Sequence, residues 1–393
     1  LCGAKHVSMS ALVITNVVLG LSGATGSVRV EDGRITELGQ HVPTAAADEF
    51  DAAGRCLLPG FVDCHTHACW AGSRLDEWER CLAGATYLEV LDSGGGIMST
   101  VRAVRAATEA ELTDRLLERL TTCLRHGTTT IEVKSGYGLT TKAELKMLAA
   151  IHQAAESFQG TIVPTACIGH CKDPEQGDEH VRTTIEQTLP AVSETFPGIT
   201  IDAYCEKGAW SLSESLALFD AALEAGHPVR VHADQFNDLG MIPEAIRRGF
   251  RSVDHLEAST TEHLELLAES QTHGVMLPMC GWHLDGRYAD GRSFVESDGS
   301  LAIATNLNPG SAPCFSMSAV VAQATRSCGL SIGAAVEAST IGGGRVLGFE
   351  DRGRLAEGQR ADLVLLDTCD ARDIAFFGGW NPVTHVWVAG ERV

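Results

Sequence analysis

The stretch "LLPGFVDCHTH" (57–67) is an apolar run that ends in two histidines one residue apart. Its length and its aliphatic and aromatic content predict a strand over 57–65. In an extended chain residues i and i+2 point the same way, so His65 and His67 can aim at one ion. Whether this strand stands alone or opens a repeating series decides the fold.

Working outward, the rhythm repeats: an apolar strand, then a longer amphipathic stretch. Further strands are predicted at "TTTIEVK" (128–134), "TIVPTACIG" (161–169), "TIDAYCE" (200–206), "PVRVH" (228–232), "RSVDH" (251–255), "HGVML" (273–277) and "LAIATN" (301–306). Helical periodicity at 109–127 and 142–158 separates several of them. Strands alternating with helices favour a TIM-type (β/α)8 barrel over an open sheet. A doubly wound sheet would usually carry a glycine-rich phosphate turn after its first strand, and none is present.

Both ends of the chain have a different texture. Residues 11–59 and the stretches "GRLAEGQRADLVLLD" and "PVTHVWVAGERV" alternate apolar and polar residues between Gly and Asp-Gly turn signals. They predict a small composite β-sandwich domain of 1–59 plus 349–393, with the barrel over 60–348. The opening "LCGAKHVSMS" has no core periodicity, and Met9 is a candidate natural start.

Composition narrows the function classes. The chain has 393 residues, 44% hydrophobic and 21% charged, which is globular in character. No apolar run reaches the roughly 18 residues of a membrane span, so a soluble protein is expected. A formal charge of −21 with only 30 Lys and Arg argues against nucleic acid, which needs clustered cations. The 13 cysteines are scattered and odd in number, and they read as reduced, mostly buried thiols.

Candidate ligands fall at the C-terminal ends of the predicted strands, the face on which barrels build active sites. Beside His65 and His67 stand His232, His255 and Asn306. His232 can supply a third imidazole and leave an open position for water. A lone H-x-H is weak, but histidines at the same end of strands one, five and six favour a metal site.

The pieces "LPGFVDCHTH", "AGSR", "GATY", "GGGIMSTVRA", "EVKSGYGL", "HADQFNDLG", "DHLE" and "NPG" together resemble the amidohydrolase superfamily, and within it the imidazolonepropionase family. That resemblance implies hydrolysis of 4-imidazolone-5-propanoate to N-formimidoyl-L-glutamate with one divalent metal ion, zinc or iron. It implies metal ligands at His65, His67 and His232, with Asn306 where the family has an aspartate. Arg74, Tyr87 and Tyr137 would bind the substrate, the first and last at its carboxylate, and His170 would approach the ring. Gln235, Asn308, Gly310 and Ser311 would complete the pocket, with His255 beside the activated water. His255, Gln235 and Asn306 therefore hold the catalytic positions. A cytoplasmic homodimer acting on a small carboxylate-bearing molecule is the matching expectation.

Asn306 disturbs that pattern, because an amide is an uncharged ligand and cannot take a proton as a carboxylate does. Gln235 is also an amide, which leaves His255 as the candidate base and Glu206 as a more distant one. Three readings of Asn306 stay open: an engineered substitution, an enzyme diverged to another cyclic amidine or amide, or a ligand-binding relative. The segment 277–294, with Cys280, Trp282, His283 and Arg287, also departs from the family pattern and favours divergence.

Overall fold

The computed structural model describes residues 11–84, 95–177 and 179–393. Eight parallel strands form the barrel in chain order: β6 (Phe61–Asp63), β7 (Thr128–Lys134), β8 (Thr161–Gly169), β9 (Thr200–Cys205), β10 (Arg230–Ala233), β11 (Ser252–His255), β12 (His273–Met276) and β13 (Leu301–Ile303). Each neighbouring pair is parallel. The helices between them bury one stripe. Leu112, Leu116, Leu120 and Leu124 do so on the helix Glu109–Arg125, which Thr108 and Glu111 close with a capping box. That helix stops before the predicted 127 because Gly127 takes φ +90°.

The other sheet joins β1 (Ala11–Leu19), β2 (Ala24–Glu31), β3 (Arg34–Gly39), β4 (Ala47–Asp51), β5 (Cys56–Pro59), β14 (Leu363–Leu366), β15 (Val383–Val388) and β16 (Glu391–Arg392). Backbone bonds from Ile35 to Gln359 and from Ala361 to Gly33 tie β3 to the segment leading into β14, so the sheet folds back on itself. Its centre is a small core that includes Ile14, Val28, Leu57, Leu363, Leu365 and Trp387. The alternate residues Cys56, Leu58, Val364, Leu366, Val386 and Val388 face the main core instead. Period-two alternation with both faces buried explains why "LVLL" reads as an unbroken apolar run.

One expectation is corrected here: the predicted strand 57–65 is two strands. Gly60 donates its N–H to Asp362 O at 2.7 Å, while Phe61 donates to Gly127 O at 3.0 Å, so consecutive amides serve different sheets. A Cβ on Gly60 would lie 2.3 Å from Thr129 Oγ1, so only glycine allows the crossing.

The last strand also ends earlier than 306. Asp63, on β6, accepts from Thr305 N at 3.1 Å and Thr305 Oγ1 at 2.5 Å. His67 N donates to Asn306 O at 2.9 Å, and Thr66 bridges Asn306 in parallel. These contacts close the barrel between its first and last strands and set Asn306 beside the histidine pair. No helix among the described residues is long and apolar enough to cross a membrane. The cysteines among the described residues are unpaired, and most are buried.

Candidate metal centre

Strand alternation builds the floor of the site. On β7 Glu132 and Lys134 share a face, on β9 Asp202 and Tyr204, on β10 Arg230 and His232, and on β11 Ser252 and Asp254. All five charged residues of this set are buried. Lys134 Nζ lies 2.9 Å from Glu132 and 2.7 Å from Asp202. Arg230 reaches Glu132 at 2.6 Å and Asp254 at 2.5 Å. Three carboxylates thus face two cations.

Two of those carboxylates hold imidazoles. His65 Nδ1 donates to Asp254 Oδ2 at 2.6 Å, and His232 Nδ1 donates to Asp202 Oδ1 at 2.9 Å. Both rings therefore present Nε2 forward, the tautomer a metal ligand needs. Burial pushes His65, His67 and His232 below the usual histidine range, so all three are neutral. Burial opposes ionisation of Asp202, but the bond donated by His232 and the Lys134 cation outweigh it and hold that carboxyl well below its ordinary value.

The donor set fits a divalent ion. One ligand atom from each of His65, His67 and His232 lies within 4.8 Å of the others. Nε2 of His67 and of His232 face each other at 3.0 Å. His65 Nε2 and Asn306 Oδ1 are buried without a hydrogen-bond partner. Unpaired buried polar atoms are rare, and a cation among the three imidazoles would satisfy His65 Nε2.

Asn306 sits at φ +65°, in the left-handed region that asparagine adopts more readily than most side chains. Its Nδ2 donates to Cys280 Sγ at 2.9 Å and to Ser311 Oγ at 3.1 Å. His255 closes β11 at φ +95°, its ring 5.9 Å from that of His65 and 5.6 Å from that of His232.

The remaining expected residues gather around this centre in different states. His170 stacks on His67 at 4.6 Å, and its Nδ1 donates to Gly136 O at 3.0 Å. Burial drives its pKa down to about 3. Tyr137 is buried, and its hydroxyl has no partner. Burial raises that phenol well above its ordinary range, against the opposing pull of Arg74, so it stays a donor. Gln235 accepts from the Tyr204 hydroxyl at 2.8 Å. Asn308 Oδ1 accepts from Gly310 N at 2.9 Å, which shapes its own turn. Arg74 pairs with Glu77 at 2.6 Å, and its guanidinium lies against Gly310. Tyr87 lies outside the described residues.

Glu206, the more distant candidate base, has its oxygens engaged by the neighbouring loop. It accepts from Phe236 N at 2.8 Å, Asn237 N at 3.2 Å and Asn237 Nδ2 at 2.7 Å, so it anchors the loop that carries Gln235. Sequence reasoning missed the Glu132–Lys134–Asp202–Arg230–Asp254 network, although period two within "TTTIEVK" and "VRVH" was the available signal. It also missed Glu144, which accepts from the backbone N–H of Gly136, Gly138 and Leu139 and so holds the Tyr137 loop.

Residues 56–393 match the model of the amidohydrolase family. The chain is 42% identical to an imidazolonepropionase of Herpetosiphon aurantiacus, over 93% of this chain and 89% of that one. It is 43% identical to an imidazolonepropionase of Deinococcus radiodurans, over 87% and 85%. Among solved structures it resembles 5-methylcytosine deaminase from Klebsiella pneumoniae with a TM-score of 0.77 at 20% identity, covering 97% of each chain. A triazine hydrolase variant gives 0.78 at 17% identity, covering 97% of this chain and 94% of that one. At those identities the structural likeness concerns the fold.

Proposed function

Because the chain belongs to the amidohydrolase family, we propose that it opens the ring of 4-imidazolone-5-propanoate by metal-dependent hydrolysis, giving N-formimidoyl-L-glutamate. The observation that carries this reading is the convergence of three neutral, buried imidazoles, two of them backed by carboxylates. It stands on a chain 42% identical to an imidazolonepropionase.

His65, His67 and His232 would hold the ion, with Asn306 Oδ1 as a neutral fourth donor. A divalent ion held there supplies Lewis acidity and lowers the pKa of a water toward about 7. Imidazole and carboxamide donors suit zinc and iron alike. His255 Nδ1 stands 3.3 Å from Glu257, which leaves Nε2 as the atom to take the water proton and return it to the leaving nitrogen. The protonated Tyr137 hydroxyl and the Arg74 guanidinium would receive the propanoate, Arg74 exchanging its bond to Glu77 for the substrate carboxylate. His170 would stack alongside the ring, and Gln235, fixed by Tyr204, would bond its polar edge. A cytoplasmic homodimer is part of the same reading.

A second reading, hydrolysis of another cyclic amidine or amide, is favoured by one observation. Asn306 is bonded to Cys280, so two departures from the family pattern meet in one contact. Metal content of the purified protein, with turnover of imidazolonepropanoate and of other cyclic amidines, tests both. Bound metal with ring opening of imidazolonepropanoate supports the first. Bound metal with turnover only of another substrate supports the second. Lack of turnover on every substrate, in the parent and in Asn306→Asp, refutes both.

A further inference from the structure

We propose that Glu257 is the positioning residue for His255: it holds the ring with Nε2 free for the water and balances the positive charge that the ring gains with the water proton. The inference rests on the hydrolase reading above. The Glu257 side chain is 5% exposed, and its two oxygens each lie 3.3 Å from His255 Nδ1, the hydrogen bond running to Oε1. Oε2 is buried with no hydrogen-bond partner. Among the described residues Glu257 has no lysine or arginine partner, so a buried carboxylate is bonded to His255 alone.

The same pairing occurs three times at this end of the barrel, and the differences assign the roles. Asp254 backs His65 and Asp202 backs His232, but Arg230 holds the first carboxylate at 2.5 Å and Lys134 the second at 2.7 Å. Those charges are already matched, so the two carboxylates mainly fix a tautomer for a ligand. Glu257 has no such cation, and its charge is left for an imidazolium. Asn306 and Gln235 are amides, so neither can supply that charge. Cys280, which also lies close, keeps its proton, since burial first and then Glu257 push its thiol well above the usual range. The backbone is bent to make the pair: His255 at φ +95° and Leu256 at φ +74° are both in the positive region. Ala258 N donates to Asp234 O at 2.6 Å and Ser259 Oγ to Asp234 Oδ2 at 2.7 Å, which holds the strained turn in place. In the reaction a water O–H bond breaks, its proton goes to His255 Nε2, and the oxygen bonds to the ring carbon. The same proton then leaves Nε2 for the departing ring nitrogen as the C–N bond breaks. Nδ1 keeps its proton and Glu257 its charge throughout.

The zinc-loaded parent, Glu257→Gln, Glu257→Ala, His255→Ala and the double variant His255→Ala with Glu257→Gln, compared for metal content, kcat and KM on imidazolonepropanoate, test this. Glu257→Gln should lower kcat by about 10²-fold or more, with KM and metal content as in the parent. In the His255→Ala background the same change should cost nothing further, because Glu257 acts through that ring. Unchanged kcat in Glu257→Gln, or equal losses with and without His255, would overturn the role. So would a loss confined to metal content or KM. Nitrogen-15 spectra of the histidine rings give a readout that needs no turnover, with His255 assigned by its loss in His255→Ala. Nδ1 should carry the proton in the parent, and Glu257→Ala should release it to either nitrogen. A proton on Nε2 in the parent, or a tautomer indifferent to Glu257→Ala, would overturn the positioning. A parent that turns nothing over yet shows that tautomer response would refute the hydrolase reading and support the hold of Glu257 on the ring.

Discussion

Replacing Asn306 with aspartate sets two effects of opposite sign against each other. The side chain is 1% exposed, and its Nδ2 makes two donations that a carboxylate cannot make. Cys280 and Ser311 can each turn to donate in return, so the hydrogen bonds themselves are largely recoverable. The added charge matters more. The floor beneath the imidazoles already holds Glu132, Asp202 and Asp254 against Lys134 and Arg230, one formal negative charge in excess. A further buried carboxylate without a cation should cost about 1–3 kcal/mol or more in the metal-free protein. With a divalent ion bound, the same two negative charges match it, and the penalty should vanish. Urea unfolding of parent and variant, each with a chelator and with saturating zinc, measures both arms. Turnover should rise by about 10² to 10⁴ if the carboxylate supplies a missing proton acceptor. Equal stability of parent and variant without metal, together with unchanged turnover with it, would refute the placement of Asn306 beside the ion.

Further outcomes follow from other parts of the molecule. Lys134→Met leaves Glu132 and Asp202 without their shared cation and should destabilise by about 3–5 kcal/mol in urea titration. Gly60→Ala drives a methyl into Thr129 and should cost about 1–3 kcal/mol, most of it restored by adding Thr129→Ala; lack of rescue would show that the strain lies elsewhere. His273, whose Nδ1 is bonded to the Ser300 hydroxyl, has its pKa lowered from 6.5 to about 4 by burial and then by Arg345. The unfolded chain therefore binds a proton that the folded chain refuses, and stability should fall as pH drops from about 6.5 to about 4. His273→Gln should flatten that slope when both proteins are measured without metal, and parallel slopes would exclude His273 as the cause.

The barrel was legible because apolar strands and amphipathic helices alternate, and the terminal sheet because Asp-Gly and Gly turns break short alternating runs. The split at Gly60 was not legible, since "LLPGFVDC" is apolar throughout and its two halves differ only in which strand each amide meets. His65, His67, His232 and His255 could be placed at strand ends by counting. The charged floor could not be weighed in the same way, because Lys134 and Arg230 look like ordinary strand-end cations until the closed barrel sets them against Glu132, Asp202 and Asp254. Glu206 shows the complementary limit: its position at a strand end is visible in the sequence, but not that the loop following β10 donates to its oxygens. The contact between Asn306 and Cys280 joins the loop after β13 to the short helix Pro278–His283, and no local pattern announces it.

The crossing at Gly60 also bears on how the chain reaches its native state. Leu58 on β5 pairs with Val364 on β14, so strands made early in synthesis must wait for partners made near the end. Loop closure over such a separation is slow, and until it happens Cys56 and Leu58 lack the neighbours that complete the main core. The barrel is therefore not a module that can be excised at 60. A chain cut before Leu363 would leave the edge of β5 open a few residues upstream of His65, at the moment when that edge is most exposed to pairing with another molecule.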